Sequence, residues 1–489
     1  MLSLVRFIKN TFAPVNRIPP EVLTLVPDYW EGGGGETLIK LTHVCRSWRE
    51  LFTSCPSLWI RLDCMNVDKT RTHIERSKTS LLEICLGEVN NVFCREGAFL
   101  LAVPHIGRLG ALSVSGNPAQ VLPVLVKHFL CHVPLLSKLD INLVCNQAAV
   151  LPDTLFNGDL SSLRELRLTG VITPLPWKGL SNLTTFNLCH VPEDNILLIQ
   201  LLDFFESAPQ LRHIQLHDFI PRSGNTPTER VVFLPHLKDL SIVAQPARFV
   251  LNHLSIPAGV SMYLESTFRG KRSPISSHLP NPPDRLHNLS HITAVNLYFD
   301  WDQRSLRLDG PSGGLFILGN WMGSGDNSTY GTGEFLWSLG RLDISRTRWL
   351  AITRYCLRPS SDTSTSITKW CTYHTLCSMN NLCTLTLSRC KNLIFILVLD
   401  PSKNPSGTVL CPKLEEIILY IERPGQLHVD EMSGMAEERA SRGVKLSAVT
   451  IVGIGAIGPA EEVSQLRKHV PHVEYRFDGA PPEWDTLPN

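Results

Sequence analysis

The chain has 489 residues, a formal net charge of +1, and 43% hydrophobic against 19% charged residues. That balance excludes a disordered chain, and the near-neutral mixture of signs leaves no concentrated Lys and Arg surface for nucleic acid or acidic lipid. The length suggests about three globular domains unless internal repeats merge it into one continuous core.

The N-terminal stretch MLSLVRFIKNTFAPV carries Arg6 and Lys9 and no acid before Glu21. It reads as a helix packing on the segment after it, since it is short and Ser-poor for a transit peptide. Pro19 and Pro20 suit the first turn of a helix, where a missing amide costs nothing, and Pro27 is placed to end it. Four glycines, Gly32 to Gly35, come next. From Glu36 to Phe52, Leu38, Leu41, Val44, Cys45, Trp48, Leu51 and Phe52 recur at steps of three or four, which predicts one long amphipathic helix. Pro56 closes it.

Three runs in this stretch carry a resemblance. They are Ile18-Pro19-Pro20-Glu21-Val22-Leu23, Leu41-Thr42-His43-Val44-Cys45-Arg46-Ser47-Trp48-Arg49 and Pro56-Ser57-Leu58-Trp59. In this order and at this spacing the segment 14–62 resembles the F-box, most of all in the F-box-like proteins of mushroom-forming fungi. The resemblance implies docking to the Skp adaptor of a cullin-RING ubiquitin ligase, with Ile18, Pro19, Pro20, Leu23, Leu41, Val44, Trp48 and Leu51 making the contact. One departure is visible. Where the family builds another short helix, only residues 27–37 remain, with their glycines.

Beyond Trp59, residues 68–80 read as a charged helix, and then a motif L-x-x-L-x-L repeats. Allowing Ile, Val or Phe, it falls at Leu81/Ile84/Leu86, Leu109/Leu112/Val114, Leu136/Leu139/Ile141, Leu163/Leu166/Leu168, Leu183/Phe186/Leu188, Leu211/Ile214/Leu216 and Leu237/Leu240/Ile242. Residues two apart share one face of a strand, while the first leucine turns inward at a corner. The helix-like stretches 120–131 and 193–206 can return the chain. Further motifs at Ile292/Val295/Leu297, Leu339/Leu342/Ile344, Leu382/Leu385/Leu387, Leu414/Ile417/Leu419 and Leu446/Val449/Ile451 are more widely spaced. Loop insertions at about 265–285, 310–333, 359–368 and 400–408 account for the excess, and 260–264 reads as one more degenerate strand.

The recurrence resembles the leucine-rich repeats of F-box proteins, so the expected fold class is α/β: an N-terminal helical F-box followed by an irregular leucine-rich-repeat solenoid over 63–489. The family's ninth-position Asn or Cys, which hydrogen-bonds the turn backbone, survives only as Asn117 and Cys390. Strand alternation then sends the polar residues between the leucines to the other face. Arg167, Asn187, His213, Gln215 and His217 are the candidate substrate-binding residues there, with Arg167, Asn187 and His213 expected within reach of one ligand segment.

Other chemistry finds little support. Cys371, His374 and Cys377 do not follow a recurring zinc spacing, and His213 and His217 lie ~13 Å apart on a strand, too far for one metal ion. Gly32 to Gly35 lacks a phosphate-loop arrangement, Gly319/Gly323/Gly325 follows no strand-to-helix turn, and no nucleophile stands in a recognisable elbow or triad order. The basic cluster Arg269-Gly270-Lys271-Arg272 reads as a solvated loop. The 14 cysteines form no tight framework, and no apolar run approaches the ~20 residues that span a bilayer. The expectation is thus a non-catalytic, metal-free and cofactor-free protein of the cytoplasm or nucleus. Its partners are the Skp adaptor, the cullin and RING subunits behind it, and an unknown protein substrate. An F-box scaffold without a ligase role is the alternative.

Overall fold

A computed structural model describes residues 12–29, 35–89, 92–93, 96–143, 149–173, 179–191, 196–219, 221, 229–243, 247–269, 278–280, 285–299, 303–322, 339, 342–353, 362–388, 390, 392–421, 428–453 and 463–477. Residues 1–11 of the N-terminal stretch 1–15 expected as a helix, Gly32 to Gly34, and the cluster at 270–272 lie outside these residues. The chain is a mixed α/β protein dominated by parallel sheet, and it divides into two compact units, 1–211 and 212–489.

The first unit opens with four short helices, α1 (Pro20–Leu23), α2 (Val26–Tyr29), α3 (Gly35–Thr42) and α4 (Arg46–Ser54). Pro27 lies inside α2, so it opens a second turn as well as ending the first helix. The single long helix expected over 36–52 is two helices. Thr42, His43 and Val44 are poor helix formers, and the last turn of α3 tightens through His43 N–H to Lys40 O and Val44 N–H to Leu41 O. Cys45 is then fully extended, and the Arg49 guanidinium donates to the freed Thr42 carbonyl at 3.0 Å. After a short turn at Pro56–Trp59, Leu23, Leu38, Leu41, Trp48, Phe52 and Trp59 form one buried core. The Trp59 indole N–H satisfies the Phe52 carbonyl at 2.8 Å.

Helix α5 (Val67–Ser77) is N-capped by Asn66, whose side chain accepts from Lys69 N–H. It joins this core to the sheet: His73 packs edge-on to Trp59 with ring centroids 5.0 Å apart, and the Arg76 guanidinium lies 4.3 Å over the same indole. Six parallel strands follow in sequence order, β1 (Arg61–Leu62), β2 (Leu82–Leu86), β3 (Leu109–Ser115), β4 (Lys138–Asn142), β5 (Glu165–Thr169) and β6 (Thr185–Cys189). Their register aligns Leu112, Leu139, Leu166 and Phe186 in one buried row and Val114, Ile141, Leu168 and Leu188 in another.

The inward corner comes from a repeated turn. Leu136, Leu163, Leu183 and Leu211 each donate their amide to the residue three before. The first repeat is off by one, because Leu81 is exposed and Leu82 takes the buried place, opposite Leu109. A bulge at Gly110 absorbs the extra residue, since Ala111 pairs with Glu83. Behind the sheet, helices α6 (Glu96–Ala102), α7 (Pro118–His128) and α8 (Leu198–Ser207) contribute to an aromatic spine. Phe99, Phe129 and Phe156 follow one another at 5.8 and 5.9 Å, and Phe186 meets Phe204 at 4.3 Å. Asn117, expected to bond a turn, caps α7 instead through Ala119 N–H.

The second unit starts with parallel strands β7 (His213–His217), β8 (Asp239–Val243) and β9 (Val260–Arg269). Strands β10 (Ala294–Phe299), β11 (Gln303–Gly310) and β12 (Gly313–Met322) then form an antiparallel meander laid in reverse, so that β12 pairs with β9 and β10 pairs with the next strand, β13 (Trp349–Thr353). Parallel pairing resumes through β14 (Thr384–Ser388), β15 (Glu416–Ile421), β16 (Ala448–Gly453) and β17 (His472–Phe477).

Several expectations need correction. The segment 260–264 is a strand, as expected, but that strand runs on to Arg269 into the supposed loop at 265–285, and β12 takes up 313–322 of the expected 310–333 loop. The described residues of the motif Leu339/Leu342/Ile344 carry no strand. The strand lies at Trp349–Thr353 with Leu350 and Ile352 inward, and Thr347, fully buried, makes the corner turn to Ile344 O. The Ser/Thr-rich stretch expected as a loop at 359–368 runs into helix α9 (Asp362–Cys377). Two more helices, α10 (Asn392–Leu399) and α11 (Val429–Ser441), complete this side. Arg439 of α11 is fully buried and donates to the carbonyls of Leu410 and Cys411 at 2.7 and 2.9 Å. Burial pushes the Cys411 thiol up to about 12.

Candidate interaction surfaces

The eight residues expected at the adaptor contact divide into two sets. Leu23, Leu41 and Trp48 point into the module's own core, Trp48 only 8% exposed and edge-on to Phe52 at 5.6 Å, while Leu51 packs half-buried at its margin. Ile18, Pro19, Pro20 and Val44 are exposed. Val22 and Leu25, each 50% exposed, are apolar residues on the same short segment that the sequence reading passed over. Their spacing was the available signal: 18, 22 and 25 recur at steps of four and three while Leu23 alone turns inward. These six apolar side chains thus stay in water on a module whose interior is already filled.

In the first unit the outward face of the sheet is polar. Lys138 and Glu165 pair across β4 and β5 at 3.3 Å. The middle residues of three strands then lie in register: Asp140 opposite Arg167, and Arg167 opposite Asn187. Burial raises the pKa of the half-buried Asp140 carboxyl, against the opposing pull of Arg167 and Lys138. No side-chain hydrogen bond or ion pair joins Asp140 to Arg167.

In the second unit His213 Nδ1 lies 2.7 Å from Asp239 Oδ2, directly across from it in the ladder. His213 is the first residue of its strand, whereas Arg167 and Asn187 are the middle residues of theirs. Gln215 is the residue of β7 in that middle position, and it pairs with Ser241. Of the expected trio, Arg167 and Asn187 are register partners in the first unit, and His213 belongs to the second. His217 ends β7 with Asp218 Oδ2 at 3.6 Å from its Nδ1. Further along the same face Tyr263 stacks on Phe316 across β9 and β12, centroids 5.6 Å apart, and donates its hydroxyl to Glu265 at 2.6 Å. Burial, then Glu265, raises the Tyr263 pKa. No sequence pattern pointed to this aromatic pair, since its strands lie far apart in the chain.

Cys371, His374 and Cys377 all lie on α9, where Cys371 is buried and His374 stands edge-on to Trp370 at 4.1 Å. The Cys390 thiol reaches the carbonyls of Ile352 and Ser388 at 3.1 and 3.0 Å, the backbone role its position predicted. No described helix is long and apolar enough to cross a membrane. Comparison with protein-family models and with curated proteins returns no match.

Proposed function

We propose that the chain is the substrate-recognition subunit of a cullin-RING ubiquitin ligase: an F-box protein whose N-terminal helices dock the Skp adaptor and whose irregular leucine-rich repeats hold a protein substrate. The observation that carries this reading is the exposed set Ile18, Pro19, Pro20, Val22, Leu25 and Val44 on a short helical module with a complete core of its own. Burying a side chain of this kind contributes ~1.5–3 kcal/mol, so leaving several in water favours a partner. The strand faces, polar and different on each strand, supply a separate surface for substrate. Catalysis in such a complex is proximity, with the chemistry in the conjugating enzyme and the RING subunit.

The test is co-purification of the full chain with Skp adaptor and cullin. Val22→Asp with Val44→Asp is expected to lower adaptor capture at least tenfold with unchanged circular dichroism and melting. Unchanged capture by the double variant, or none by the parent chain, overturns the reading. Proteasome-dependent accumulation of a captured protein separates a ligase subunit from an F-box scaffold.

A further inference from the structure

The outward row of the first unit holds two opposite charges that attract each other but close no ion pair or hydrogen bond. Asp140 and Arg167 are ladder partners on adjacent strands, ~4.8 Å apart along the hydrogen-bonding direction. Their neighbours Lys138 and Glu165, one pleat away on the same two strands, do close an ion pair. Among the described residues the Asp140 and Arg167 side chains have no hydrogen-bonding or ion-pair partner. Ser113 flanks Asp140 and Asn187 flanks Arg167 in the same register row. Ser113 is short and leaves room over Asp140, and the Asn187 amide can both donate and accept.

We propose that Asp140, Arg167 and Asn187 form a recognition row for an extended peptide segment of mixed charge, with a basic side chain over Asp140 and an acidic one, one or two residues away, on Arg167. A segment crossing the strands advances ~3.3 Å per residue, so neighbouring or next-neighbouring side chains match the strand spacing. The guanidinium takes a carboxylate through two parallel N–H donors, and the half-buried carboxylate gains most from a cation because it is partly stripped of water. A uniformly acidic or uniformly basic segment leaves one of the two charges facing its own sign, which gives the row discrimination as well as affinity. The Asn187 amide then pairs with the peptide backbone beyond the acidic residue. This proposal names the substrate chemistry of the repeat face and rests on the reading of that face as a substrate surface.

The experiment selects random displayed dodecapeptides on immobilised full-length protein, in parallel for the parent chain, Arg167→Glu and Asp140→Lys, at low salt. The parent pool is expected to enrich basic and acidic residues one or two positions apart at least fivefold. Arg167→Glu should shift its pool to basic-only peptides and Asp140→Lys to acidic-only peptides, a reversal that damage to the fold would not produce. Should Asp140→Lys fail to fold by circular dichroism, Asp140→Asn replaces it and should lose the basic residue from its pool. Three pools of the same composition, or no enrichment in the parent pool, overturn the inference. Adaptor capture by each variant is measured alongside. If the pools reverse while the parent chain captures no adaptor, the ligase reading fails and the recognition row stands. If capture persists and the pools do not change, the row fails alone.

Discussion

A tryptophan and a valine four residues apart play opposite parts. Trp48 lies inside the module with Phe52 and Trp59, so Trp48→Ala removes core volume and should cost ~3–5 kcal/mol, read as a lower denaturation midpoint of the N-terminal helices. Val44, 55% exposed, should tolerate Asp with no measurable loss of stability. His73 gives a second test at this scale. Burial, with Lys69 adding to it, holds its pKa down at about 4 against the usual 6.5, while the ring sits 2% exposed against Trp59. An unfolded chain takes up the proton near 6.5 and the folded one near 4, so stability is full above 6.5 and falls as pH drops through that window, by up to about 3 kcal/mol. His73→Phe should flatten the difference between denaturation midpoints at pH 7.5 and 5.0; an unchanged difference means that His73 is not its source. The inward or outward sense of single residues was only half legible in sequence. A three-or-four periodicity finds the stripe of a helix, but the break at Cys45 turns Val44 away from the stripe it was assigned to.

At the level of elements, the meander β10–β12 depends on its turn. An added Cβ at Gly310 would collide with His291 O, and one at Gly313, where φ is +117°, would collide with Val260 O. Both contacts are with backbone, which cannot step aside. Gly310→Ala or Gly313→Ala should therefore cost ~2 kcal/mol or more, measured by chemical denaturation. Here the glycine-rich stretch misled the sequence reading. Glycines suggest a loop, yet two of them serve strands approached closely by other backbone, a use invisible without the third dimension. Thr347 misled in the opposite way, since a small polar residue at a buried corner breaks the leucine pattern and shifts the motif onto Leu339, Leu342 and Ile344. Where corner and strand positions are all apolar, as from Leu109 to Ile242, pattern and structure agree.

Among the described residues of each unit, a strand pairs with at most two others, so damage should stay local. In hydrogen exchange, Gly313→Ala is expected to speed the amides of β9 to β13 while those of β2 to β6 keep the parent rates; a global increase would show one cooperative core instead. Recurrence of a weak motif was the legible part of the architecture, because period survives the loss of individual leucines. The reversed order of the meander was not, since nothing local distinguishes a strand that will pair backward. That reversal bears on synthesis. In the second unit β8 and β9 each pair with a strand made before them. The other edge of β9 must wait for β12, because the partner of Val260 is Gly313, and β10 emerges with neither neighbour yet made. At ~5–20 residues per second on the ribosome, the edge of β9 stands open for several seconds. An unpaired strand edge is a template for foreign strands. The nascent chain is therefore most exposed to chaperone capture or misassembly in this interval, and slowing elongation over 270–312 should widen it.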